Sequence, residues 1–187
     1  MKIMQYFYII MSFAGIFMLG CSIPKYDPHK EYGFHIDNAD SKLQNPPENK
    51  ARIYTYRIGT PFGFITNYYI SIFNTDDFDA KKPNWANAQF LAKSHISSAY
   101  FTDIDPGHIT LYAKTESRHT FSFEAKANTI YCVESSIGMG FFIYNPNFSL
   151  VPQERCIKYV SKYLKDNSQE RWEKDFERFK KKYLKSK

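Results

Sequence analysis

Between residues 109 and 113 apolar and polar positions alternate, with Ile109, Leu111 and Ala113 on one side of an extended chain and Thr110 and Tyr112 on the other. A two-residue period belongs to a strand with one face on a core. Phe121 and Phe123 repeat it after the next turn. From Ala51 onward, short runs rich in β-branched and aromatic residues recur about every ten residues, the pattern of an all-β sandwich or barrel. They predict strands over 52–57, 68–73, 89–93, 97–103, 109–114, 120–124, 129–135 and 148–151. Asp105-Pro106-Gly107 fits a type II turn, Pro presetting φ and Gly supplying φ > 0. Residues 115–118 fit a tight hairpin and Lys126-Ala127-Asn128 a second, Asn being at ease in the left-handed region. Together these turns predict an antiparallel meander over 97–135.

The period changes at the C-terminus. Trp172, Phe176, Phe179 and Tyr183 recur at spacings of four, three and four, which places them on one face of a helix. Asp166 or Asn167 is the predicted cap, with Glu170 returning the bond to Asn167. Lys174, Arg178 and Lys181 lie around the rest of the helix, and Val160 and Leu164 extend a similar pattern upstream. The aromatic stripe has three uses: packing on the β-domain, lying on an anionic membrane surface, or docking a partner. The fold class is therefore mainly β, a small antiparallel sandwich-like domain over 51–156 followed by a basic amphipathic helical tail over 157–187.

The N-terminus has a different pattern. Lys2 precedes an uncharged apolar run, Tyr6 to Leu19, that ends at Gly20-Cys21. The run is shorter than the ~20 residues a spanning helix needs and reads as the h-region of a signal peptide over 1–20. Met18-Leu19-Gly20-Cys21 resembles the lipobox of bacterial lipoproteins, which implies cleavage before Cys21 and its acylation. Acylation with two or more chains gives stable membrane anchoring. Leu19 departs from the small residue usual at its position. Residues 21–50 carry Pro24, Pro28, Pro46 and Pro47 and few aliphatics, so they are expected to form a flexible tether reaching about 30 Å.

Composition narrows the classes. With 43% hydrophobic residues, 17 Phe and 15 Tyr, the chain has far more side chain to bury than a disordered protein. The net charge of +6 resides in the tail, since residues 158–187 carry eleven basic and five acidic side chains while 21–157 carry a net of −1. A basic helix on an exported protein does not argue for nucleic acid. The expected partners are a membrane, through the lipid anchor, and an envelope protein or the cell wall; the expected location is the bacterial cell envelope, facing the periplasm or exterior.

A family resemblance enters with Ala51 to Arg57, Gly59 to Gly63, Asp105-Pro106-Gly107-His108, Phe121 to Glu124, Asn128 to Val133 and Gly138-Met139-Gly140. In that order they resemble the domain of unknown function 2846 family of bacterial lipoproteins and small envelope proteins. The resemblance covers about residues 51–151 and implies a small sandwich-like domain with no established activity. Asn128 stands where the family has Gly, and the chain between Phe73 and Gln89 is longer than the family's turn.

Searches for chemistry give little. Asp103, Asp105 and His108 bracket a Pro-Gly turn, where Asp is common without a metal. Asp76, Asp77 and Asp79 lack the Gly and Glu of a calcium loop. There is no Gly-x-Ser-x-Gly elbow, no phosphate-binding Gly loop and no dinucleotide fingerprint. His95, His108 and His119 read as surface or turn residues. No catalytic residue, metal ligand or cofactor is assigned, and a non-enzymatic role is expected, with an envelope hydrolase of dispersed site as the alternative. Cys132 and Cys156 are either a disulfide or two buried thiols; a hairpin centred on Tyr144 would bring them opposite each other.

Overall fold

The computed structural model describes residues 27, 30–37, 42–59, 66–139 and 144–184. The predicted signal region 1–20, Cys21 and residues 140–142 of the Gly-Met-Gly-Phe-Phe run lie outside the described residues. Eight strands form two four-stranded sheets. The strands are β1 (Ala51–Arg57), β2 (Tyr68–Asn74), β3 (Gln89–Ser94), β4 (Ser98–Ile104), β5 (Gly107–Lys114), β6 (Arg118–Ala125), β7 (Ile130–Met139) and β8 (Tyr144–Leu150). One sheet has the order β4-β1-β7-β8, the other β3-β2-β5-β6. The architecture is mainly β and sandwich-like, and all pairs are antiparallel except β1 with β7, which is parallel.

The expected meander over 97–135 is not formed. Within it only β5 and β6 make a hairpin, closed over 115–117 by Thr115 N donating to Ser117 O. The chain changes sheets between β4 and β5 and again between β6 and β7. The second change occurs at Asn128, which adopts φ 56 and donates its N–H to Lys50 O. Gly107 opens β5 at φ 141, beyond the type II value, and a Cβ there would meet nothing within 4 Å, so its constraint is conformational. The last strand begins four residues before its prediction, because Pro146 sits inside it. As the edge of its sheet, β8 tolerates a residue with no N–H.

The period-2 alternation sorts each strand of the first sheet between two cores. Ile53 and Val133 point between the sheets with Ile70, Leu91, Leu111 and Phe123. Tyr54, Tyr56 and Cys132 point the other way, under a helix, with Val151, Cys156 and Val160. Burial on both faces makes β1 buried at every position, which is why its sequence shows no clean alternation. The covering helix, α1 (Gln153–Tyr163), begins directly after Pro152, which is pre-set for an N-terminal position. A second helix, α2 (Ser168–Phe179), continues into a wider turn, Lys180–Leu184. The single tail over 157–187 is therefore two helices, the first starting four residues before the expected boundary.

The described part of the expected tether is packed rather than free. Phe34 exchanges two backbone hydrogen bonds with Ile130, and Tyr32, Phe34 and Leu43 are buried. Gly33 permits this approach, since a Cβ there would lie 2.5 Å from Thr129 Cγ2.

Cys132 on β7 and Cys156 on α1 form a disulfide with Cα atoms 5.7 Å apart. The hairpin register is not its cause. Val133 lies opposite Leu150 and Val151 N donates to Cys132 O, so Cys156 meets Cys132 from the helix above the sheet. Two positions along the same strand face, Glu134 accepts from Arg155 Nε (2.7 Å), Arg155 Nη2 (3.1 Å) and Tyr56 Oη (2.7 Å). Burial and the neighbouring carboxylate hold the Tyr56 hydroxyl well above its ordinary pKa, and hydrogen bonding to Glu134 raises Arg155 against the opposing effect of burial.

Two expected outcomes follow for urea unfolding. Replacing both Cys132 and Cys156 by Ala lowers stability by about 3.4 kcal/mol for loop closure over a sequence separation of 24. Arg155→Met, which leaves the buried Glu134 without its counter-charge, lowers it by about 3 kcal/mol.

Candidate functional site

The helical spacing that groups Trp172, Phe176, Phe179 and Tyr183 is realised, and the stripe faces inward. Phe90 of β3 meets Trp172, Phe176 and Phe179 at ring-centroid distances of 5.2, 5.6 and 5.1 Å. Tyr183 stacks on Trp85 at 4.1 Å, and Trp172 Nε1 donates to Leu91 O at 2.7 Å. Assignment of these four rings to a membrane or partner contact is thereby corrected: β2, β3 and the loop before β3 already hold them. Lys174 and Arg178 remain exposed, paired with Glu170 and Asp175, and Lys181 is exposed.

Asn167 does precede α2, but its side chain makes no cap bond. Ser168 Oγ instead accepts from Lys165 N, tightening the turn that joins the helices.

The helix carries one buried acid on its inward side. Asp175, whose side chain is 3% exposed, accepts from His95 Nε2 at 2.8 Å, with Arg178 Nη1 at 3.5 Å and Lys93 Nζ at 3.9 Å. His95 is thus no simple surface residue. Burial holds its imidazole below the usual pKa, against the raising effect of Asp175. The neutral ring donates Nε2–H to the carboxylate. Beside the pair lies a recess of about 370 Å³ lined by His95, Asn167, Arg171, Lys174 and Arg178.

On the other side of the start of α2 is a second recess of about 320 Å³. Lys42, Tyr100, Phe101, Lys165, Gln169 and Trp172 line it, which combines aromatic walls with amide and ammonium donors. Tyr100 Oη is buried without a hydrogen-bond partner among the described residues. Burial raises its pKa, so at neutral pH the group is a phenol.

A histidine held by a buried carboxylate is two thirds of a nucleophilic triad. The third member is not in place: among the described residues no hydroxyl is hydrogen-bonded to the His95 ring, and Ser98 Oγ donates to the His95 carbonyl. The arrangement orients an imidazole and offers hydrogen bonds to a ligand. The two aspartates and His108 named for a metal search go elsewhere, Asp103 to Arg52 at 2.6 Å, Asp105 to Lys50 at 2.7 Å and His108 toward Glu124 at 3.8 Å.

Sequence reading missed the His95–Asp175 pair because 80 positions separate its members. A signal was present. Asp175 lies three residues after Trp172 and four before Phe179, so an acid sits within the inward stripe and requires a buried donor.

Because the folded pKa of His95 is depressed, the unfolded chain binds the proton first, and stability falls as pH drops through the ordinary imidazole value. His119, depressed by burial alone, adds in the same direction. Thermal unfolding followed from pH ~7.5 to ~5 should show a declining midpoint, with a smaller decline in His95→Asn, whose amide keeps a donor for Asp175 without titrating.

No family model matches the chain, and no curated protein matches it.

Proposed function

We propose that the chain is a bacterial envelope lipoprotein, held to a membrane by acylated Cys21, whose β-domain and helices form a binding module. The observation that carries this reading is the uncharged run from Tyr6 ending at Gly20-Cys21. No helix of the described residues is long and apolar enough to cross a membrane. Membership of the domain of unknown function 2846 family belongs to the same proposal, on the residues quoted for the resemblance. The binding partner is an envelope protein or cell-wall component, with no nucleic acid. Support for binding comes from the two recesses flanking the start of α2.

His95 and Asp175 keep a second reading in view, an envelope hydrolase in which His95 activates water or a substrate hydroxyl. In that case His95→Asn abolishes hydrolysis of a chromogenic ester by the wild type. Absence of wild-type turnover on esters, amides and glycosides would sink it.

The anchor is tested by growing a bacterial host with a clickable fatty acid. The wild type should carry the label and sediment with membranes, whereas Cys21→Ala should lose both. Label persisting in the variant, or absent from the wild type, would overturn the lipoprotein reading.

A further inference from the structure

Several cations of the domain have a carboxylate. Lys50 pairs with Asp105, Arg52 with Asp103, Arg155 with Glu134 and Lys126 with Glu31. At the far end of the C-terminal helical segment the arrangement differs. Lys81 from the β2–β3 loop, Lys114 from the end of β5, Arg118 from the start of β6 and Lys182 from the last turn line one recess of about 320 Å³. None of the four forms an ion pair among the described residues. The carboxylates nearest in sequence, Asp79 and Glu116, do not line the recess.

The recess is built rather than incidental. Trp85, Tyr112 and Tyr183 form its aromatic wall; Trp85 stacks on Tyr183 and meets Tyr112 edge-on at 5.7 Å. Lys182 lies over the Tyr183 ring at 5.0 Å and over Tyr69 at 5.6 Å, which directs its ammonium. Three segments distant in sequence, the β2–β3 loop, the β5–β6 hairpin and the last helical turn, are thus locked together by ring packing, and the hairpin brings two of the four positive charges.

Like charges gathered beside a low-dielectric wall raise one another's free energy, and a multivalent anion relieves that cost. The donor set has a chemical bias. A guanidinium fork with three ammonium groups matches the oxygens of a phosphoryl group, and the flat rings beside them suit an attached sugar ring or glycerol unit.

We propose that this recess is a binding site for a phosphorylated ligand, the phosphoryl oxygens held by Lys81, Lys114, Arg118 and Lys182 and the attached group lying along Trp85 and Tyr112. The site is distinct from the recesses at the start of α2 and does not depend on the anchor. Its phosphoryl group comes either from a soluble sugar phosphate or from a phospholipid headgroup.

The chain has two tryptophans, so Trp172→Phe leaves Trp85 as the reporter inside the site. The full chain, held in a non-ionic detergent, is titrated with glucose phosphate, with glucose as the control. The same protein is mixed with vesicles of phosphatidylcholine with and without phosphatidylglycerol, and calorimetry of the unaltered protein repeats both arms without the substitution. A saturable response to glucose phosphate that weakens as salt rises supports the site with a soluble ligand; a response confined to phosphatidylglycerol vesicles supports it with a lipid headgroup. In either case Arg118→Gln with Lys182→Gln should weaken binding by about tenfold or more, while Lys162→Gln, exposed on α1 and outside the recess, should not. Lys81→Gln with Lys114→Gln, which removes the other two charges, should give the same loss, which separates lost charge from a local effect of either pair. No saturable response in either arm, or a response undiminished in both double variants, would overturn the proposal.

Discussion

Glu134 is the point on which the two ends of the domain depend. It lies on the outer face of β7, in register with Tyr56 across the parallel pair, and is buried. A carboxylate taken out of water needs its charge and lone pairs met nearby. Tyr56 meets it from β1 and Arg155 meets it with two hydrogen bonds from α1. One side chain thereby fixes the pairing of two strands 78 residues apart and the seat of the helix above them. The disulfide at Cys132, two positions earlier on the same face, adds a covalent tie to the same helix. Without that pair of ties, the outer face of the first sheet would expose Tyr54, Tyr56 and Ile130 to water.

The second helix repeats this logic with different chemistry. Asp175 is the buried acid, and His95, Lys93 and Arg178 surround it. Trp172 adds a directed hydrogen bond to the β3 backbone, and the rings of Phe90, Phe176 and Phe179 fill the interface. A helix fastened in this way cannot also offer its apolar stripe to a bilayer. What it leaves to solvent is its charged side and the recesses along its margins.

Strand positions were legible because alternation is a local property of the chain, as at Ile109 to Ala113. Sheet membership was not. Lys126-Ala127-Asn128 has the turn chemistry of a hairpin, but Asn128 at φ 56 carries the chain from one sheet to the other. Local conformation is the same in both cases, and the difference lies in the backbone partner, Lys50 O, which is remote in sequence. The segment before Ala51 misled for a related reason. Its few apolar residues, Tyr32, Phe34 and Leu43, are spaced by no period; Tyr32 joins the core between the sheets, and Phe34 and Leu43 join the one under α1. The helix stripe was legible in spacing alone; its orientation was decided by Phe90 and Trp85, whose outward side of β3 and its loop no local pattern identifies.

The cysteines connect the fold to the compartment. The chain has three, and bonding Cys132 to Cys156 leaves Cys21 with no cysteine to pair with inside the chain. A structural disulfide persists where the surroundings are oxidising, and an odd exposed thiol there is a liability unless it is modified or bonded elsewhere. In the lipoprotein reading proposed above, acylation at Cys21 would meet both conditions: export directed by the apolar N-terminal run would deliver the chain to an oxidising space, and the lipid would consume the thiol left over. Under that proposal, the disulfide that ties α1 to β7 and the acyl group at Cys21 belong to the same compartment.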